Sequence, residues 1–164
     1  VSIPKCGMKV RTFNFQDMKD NWEARLMVEQ FCAVPAVERV RHDEDFVKHI
    51  QDILDISNHE YGKCIADFTK ENFNLLTEHD RMLHTELVKC SRNQQIMNMY
   101  NSLNAHSCMF AGYGCHTPKT LRQVQDQHTE IVNQLLLCDV DGLRKALESH
   151  IYSTVQIYRS AWKE

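Results

Sequence analysis

Glycine and proline are scarce here, 5 and 3 in 164 residues. That is about 5% of the chain, against a usual combined share of about 12%, which argues against turn-rich β architectures and collagen-like repeats and for long helices. Cysteine is present, but its pattern is missing. Cys6, Cys32, Cys64, Cys90, Cys108, Cys115 and Cys138 form no CxxC pair and are odd in number, so a disulfide framework is a poor reading and reduced, cytoplasmic thiols are expected. No charge of one sign dominates. Nineteen Lys and Arg against 22 Asp and Glu leave a formal charge of −3, without the basic footprint that a phosphate backbone requires, so this chain alone is not expected to bind DNA. The longest stretch without charge, 93–118, is too rich in Asn, Gln and Ser to cross a bilayer, and no signal peptide or membrane partner is expected. The first residue is Val1 rather than Met, which suggests a fragment or a processed start.

What is present is helical periodicity. The opening 13 residues lack it and read as a strand-like linker or the tail of another module. From Phe15 to about Phe31 the apolar residues recur at three- to five-residue spacing behind the candidate cap Asn14. Pro35 is expected to break or restart that helix. Asp43 caps a stripe of Phe46, Ile50, Ile53 and Leu54. A long or kinked helix is expected over 61–91, another over 93–112, and Gly112-Tyr113-Gly114 is the strongest loop signal. Thr117-Pro118 opens the next helix with a cap and a first-turn proline, and Cys138-Asp139-Val140-Asp141 separates it from the last, which runs to about Trp162. The fold class expected is all-α: a single antiparallel bundle of six to seven helices.

Three of these helices carry an ionisable residue where a leucine belongs. At about 100° per residue, Asp80 falls within roughly 30° of the centre of the Phe73, Leu76, Leu83 and Leu87 face, and His84 lies one turn on. His128 interrupts Leu121, Val124, Ile131 and Leu135; His150 interrupts Leu143, Leu147 and Ile157. A carboxylate buried alone costs several kcal/mol, so Asp80 needs a partner, a proton or a ligand. An Asp/His pair at i, i+4 with single histidines from two other helices is a pattern by which bundles hold metal in their cores. One oxygen and three nitrogens suit Zn, Ni, Mn, Fe or Co. Any one of the histidines also reads as an ordinary satisfied core residue. Asp45 and His49 share the spacing but lie roughly 90° or more off their apolar stripe, on a solvated face. His106 and His116 flank the glycine loop and could approach a pocket.

The residues resemble the FCD domain, the C-terminal effector-binding domain of FadR-type regulators in the GntR superfamily. Arg25 to Glu29 is similar to its first-helix R-x-x-x-E signature, Asp80 to His84 to its D-x-x-F/L-H, Cys90 to Asn93 to the small-polar-Asn step, Gln127 to Val132 to its E-H-x-x-I segment, and Asp139 to His150 to its closing G-D-x-x-x-A-x-x-A-x-x-x-H. Two positions depart from the pattern, Gln127 where Glu is common and Cys138 where Gly is common. The resemblance covers roughly Phe13 to Tyr158. It implies a central site in which Asp80, His84, His128 and His150 hold a divalent metal, Zn first with Ni, Mn or Fe as alternatives. It further implies a homodimer that senses a small organic acid, with Arg25 and Asn93 as effector-binding candidates. DNA would be bound only through an absent N-terminal winged helix-turn-helix, of which residues 1–13 would be the linker or remnant and 14–164 the FCD-like domain. The function expected is ligand sensing in a bacterial transcriptional regulator, not catalysis. The alternative is a metal-dependent helical-bundle hydrolase or oxygenase; against it, no Glu-x-x-His motif or triad signature is present.

Overall fold

Six α-helices account for nearly all of the described chain, and each starts where a short polar side chain can take up an otherwise unpaired backbone N–H. The computed structural model describes residues 2–3, 7–8, 14–103 and 112–161. Asn14 accepts from Asp17 N and opens α1 (Phe15–His42) with a capping box. Asp43 accepts from Phe46 N and opens α2 (Glu44–Ala66). Thr69 caps α3 (Lys70–Lys89), Asn93 caps α4 (Gln94–Ser102), and Thr117, followed by Pro118, caps α5 (Pro118–Leu136). Before α6 (Val140–Ala161), Asp139 accepts from Gly142 N at 2.9 Å. A short 3₁₀ turn, Tyr113–Cys115, precedes α5. Near the start, Ser2–Ile3 pairs antiparallel with Gly7–Met8, a strand pair of two residues each. Among the described residues no helix is long and apolar enough to cross a membrane.

Two boundaries differ from the periodicity reading. α1 runs unbroken through Pro35. Proline removes one i to i−4 bond, here to the carbonyl of Phe31, and Phe31 is exposed while Pro35 is only half-buried, so water can take that carbonyl and the helix continues. The expected single helix over 61–91 is instead two. α2 carries on through Tyr61 and Gly62, and the break comes at Asp67–Thr69, where the side chain of Asn72 donates to the Asp67 carbonyl and Thr69 accepts from Asn72 N. The turn between α5 and α6 is made by Cys138 in the left-handed region, φ 56°. Of the expected 93–112 helix, Gln94–Ser102 is formed and 104–111 lies outside the described residues.

The helices form one bundle. α1 packs along α6 and α3, α2 against α3 and α5, and α5 against α6. The short α2–α3 and α5–α6 connections make hairpins of those pairs. A core of Met18, Trp22, Phe46, Ile50, Leu83, Ile131 and Leu147 fills the space between them. α4 closes one side through a smaller cluster of Val28, Cys32, Val88 and Tyr100. Cys32, Cys64, Cys90, Cys115 and Cys138 are free thiols, while Cys6 and Cys108 lie outside the described residues.

Candidate metal centre

In α3, α5 and α6 the ionisable residues sit in phase with the core, so packing the apolar stripes together carries four polar side chains into one place. Asp80 and His84 come from successive turns of α3, His128 from α5 and His150 from α6. All four are buried, and one ligand atom from each lies within 4.8 Å of every other. His84 Nε2 and His128 Nε2 are 3.3 Å apart. Two nitrogens bound tetrahedrally at about 2.0–2.1 Å from zinc would be about 3.4 Å apart. Asp80 Oδ1 lies 2.9 Å from His128 Nε2 and 3.9 Å from His84 Nε2. The shorter approach is not aligned as a hydrogen bond, and neither Asp80 oxygen has a hydrogen-bond partner.

The far side of each ring is held. His84 Nδ1 lies 2.8 Å from Glu29 Oε2 of α1, His128 Nδ1 3.4 Å from the Tyr61 hydroxyl of α2, and His150 Nδ1 3.4 Å from Gln127 Oε1 of α5. With Nδ1 protonated on each ring, all three turn an Nε2 lone pair toward the centre, which is how outer partners orient metal-ligating histidines. Glu29 is also a hub. Its Oε1 accepts from Arg25 Nε at 2.6 Å and from the Tyr100 hydroxyl at 2.8 Å, so one buried carboxylate ties α1 to α3 and α4.

The electrostatics favour the ligating forms. Burial alone would raise the Asp80 carboxyl, but the imidazoles of His128 and His84 and the Arg25 guanidinium outweigh it and hold the group well below the usual carboxylate range. Burial, reinforced by His128 and His84, pushes His150 well below an ordinary histidine. Burial and then Arg25 lower His84 as well. Glu29 is held at about 2: burial pushes it up, and the Arg25 guanidinium, with the hydrogen bonds from His84 and Arg25, more than reverses that. An ionised Asp80 whose oxygens have no hydrogen bond, and whose cationic neighbour Arg25 stands 3.7 Å away, is poorly satisfied for a buried carboxylate. It suits a divalent cation with mixed N and O donors, and so fits the group that the sequence motifs imply.

A cavity of about 20 Å³ opens beside the cluster, lined by Asp80, His150, Arg25, Thr77, His116 and Thr154 together with apolar side chains. Space of this size holds about one water. Arg25 is brought to it: buried, 3.7 Å from Asp80 Oδ2 through an Nη2 that has no hydrogen bond, while its Nε serves Glu29. Arg25 thus lines the cavity and at the same time pairs with Glu29 along its own helix. Asn93 is not brought there. It is exposed, and its side-chain oxygen accepts from Gln95 N and Ile96 N as the cap of α4. Asp45 and His49 are exposed, as their phase requires. His116 does reach the cavity; His106 lies outside the described residues. Sequence reasoning missed Tyr61, Tyr100 and Gln127 as partners of the site, and carried Glu29 only as the end of the R-x-x-x-E signature. Each looked like an ordinary stripe or surface residue, and only Gln127, next to His128, carried a positional signal.

Residues 20–153 match the family model described as the FCD domain. No curated protein matches the chain. Among solved structures it is similar to a transcriptional regulator, a GntR family member, from Pseudomonas syringae pv. tomato str. DC3000. The TM-score is 0.61 at 16% identity, over 98% of this chain and 62% of that one. At that identity the likeness is one of fold, and the chain spans 62% of that regulator's length.

Proposed function

The chain belongs to the FCD domain family, and from that membership we propose that it is the ligand-sensing and dimerisation domain of a bacterial transcriptional regulator, holding a divalent metal and responding to a small organic acid. The observation that carries the reading is the convergence of Asp80, His84, His128 and His150 within 4.8 Å, with both Asp80 oxygens unpartnered. Those four residues would hold the ion, zinc first with nickel, manganese or iron as alternatives. When bound, the metal supplies a Lewis-acidic anchor for a carboxylate. Arg25 adds a charge-assisted hydrogen bond through its free Nη2.

The route from site to surface runs along α1. Arg25 and Glu29 both belong to it, one facing the cavity and the other gripping His84 and Tyr100. An effector that binds one arrangement of α1 more tightly than another shifts the packing of the homodimer and, through it, the spacing of the DNA-binding modules; only differential affinity can drive that shift. DNA is contacted by a winged helix-turn-helix outside this chain. The antiparallel pair Ser2–Ile3 and Gly7–Met8 supports reading residues 1–13 as the linker or remnant of that module. The 62% coverage of the similar regulator also supports a sensing part within a longer protein.

Elemental analysis of protein purified without a histidine tag or added metal tests this reading. About one metal per chain is expected, and none in the double variant His128→Ala/His150→Ala, which also melts lower than the loaded wild type. A wild type that neither carries nor takes up zinc or nickel on reconstitution, or a double variant that keeps its metal, would sink it.

A further inference from the structure

The cavity has a further polar patch in its wall, beyond the metal ligands and Arg25. It is made by His116, two residues before α5, which is 8% exposed and whose Nδ1 has no hydrogen-bond partner. The ring is held from two sides, its centroid 5.3 Å from that of Phe73 and 5.5 Å from that of Tyr158. Gly112 is what lets this segment approach: a β-carbon there would overlap the Tyr158 ring and hydroxyl. Tyr113 fastens the turn by stacking on Phe68 at 4.7 Å and donating to the Phe68 carbonyl at 3.0 Å. His116 is thus built into the wall. Burial lowers it to about 4, so near neutral pH the ring is uncharged and offers a hydrogen bond rather than a charge.

The lining also includes the apolar side chains of Leu76, Leu121 and Val124. The cavity therefore combines a cationic group, aliphatic surface and a neutral hydrogen-bonding group. A buried polar atom without a partner is costly, and two residues that carry one, Arg25 at Nη2 and His116 at Nδ1, line the same small space. Building on the sensor reading above, we propose that His116 is the specificity-determining residue of the effector site. It hydrogen-bonds a hydroxyl or carboxylate oxygen at the far end of a short aliphatic acid whose near carboxylate lies at Arg25 and the metal. As it stands the cavity has room for about one water, so the pocket widens when such an acid enters.

Calorimetric titration of the full chain loaded with one Zn²⁺ tests the proposal. The probes are propionate and butyrate against 3-hydroxypropionate, 4-hydroxybutyrate and succinate. The wild type is expected to bind at least one terminally oxygenated acid tenfold or more tightly than its plain counterpart. His116→Phe and His116→Leu, each checked for retained metal and helicity, lose that preference while butyrate binding stays within twofold; His116→Asn recovers part of it. Two variants guard against one that fails to fold. A preference that persists in both, or a wild type that binds these acids without preference, overturns the assignment and leaves the sensor reading standing. A zinc-loaded wild type that binds none of them overturns both.

Discussion

Removing the Glu29 carboxylate is the most discriminating perturbation of the metal-free domain. Three donors converge on it: Arg25 Nε at 2.6 Å, His84 Nδ1 at 2.8 Å and the Tyr100 hydroxyl at 2.8 Å. In Glu29→Ala all three lose this acceptor in a fully buried place, and among the described residues Arg25 keeps Asp80, 3.7 Å away. Single hydrogen bonds to a charged group contribute about 1.5–3 kcal/mol each, but these share one carboxylate and will not add. Breaking a buried ion pair by deleting one partner costs about 3–5 kcal/mol, which lowers the melting temperature of a domain this size by about 6–20 °C. Glu29→Gln keeps the shape but points an amide N–H at one of the three donors, so it should lie between alanine and wild type. Urea unfolding in excess EDTA isolates this effect from metal binding. The same variants should weaken zinc about 10–100-fold in a competitive chelator titration, because His84 loses the group that orients its ring. A Glu29→Ala protein with wild-type stability in EDTA and wild-type zinc affinity would refute the view that this carboxylate holds both the helices and the ligand.

Two further outcomes follow from the same geometry. His116 binds its proton only near pH 4 when folded but near 6.5 when unfolded; between those values the unfolded chain takes up more protons, so the neutral ring's contribution is complete above pH 6.5 and is lost as pH falls toward 4. Relative to His116→Leu, metal-free wild type should therefore lose up to about 3 kcal/mol between pH 7 and pH 4, and parallel stability curves for the two proteins would contradict the burial of that ring. Asp45→Asn/His49→Ala removes another Asp-x-x-x-His pair, which is exposed, and should leave metal content unchanged and stability within about 0.5 kcal/mol; a loss of metal would place the site on the wrong helix.

Much of the candidate site was legible before folding because helical phase is a local property. Asp80, His84, His128 and His150 each interrupt an apolar stripe, and any packing that buries the stripes must bury them too. The caps Asn14, Asp43 and Thr117 were readable for the same reason, each needing only its own side chain and an N–H three residues on. Where local signals competed, reading them failed. The helix start expected at 61 falls inside α2, where Gly62 is exposed in mid-helix and glycine costs only about 1 kcal/mol. The real break, at Asp67–Thr69, depends on Asn72 reaching back to the Asp67 carbonyl. Asn93, proposed for the effector, is exposed and caps α4 through its side-chain oxygen.

What the sequence by itself determined, then, is the set of helices, their buried faces and the four ionisable residues on them, since composition and period act within a few turns. Tertiary structure alone decided which side chain faces which. It put Glu29 behind His84, 55 residues away, Tyr61 behind His128, 67 residues away, and His116 into the wall of the cavity. No spacing along the chain encodes those pairings, because they depend on how the helices of the bundle dock, and docking is settled by the fit of side chains from distant parts of the sequence.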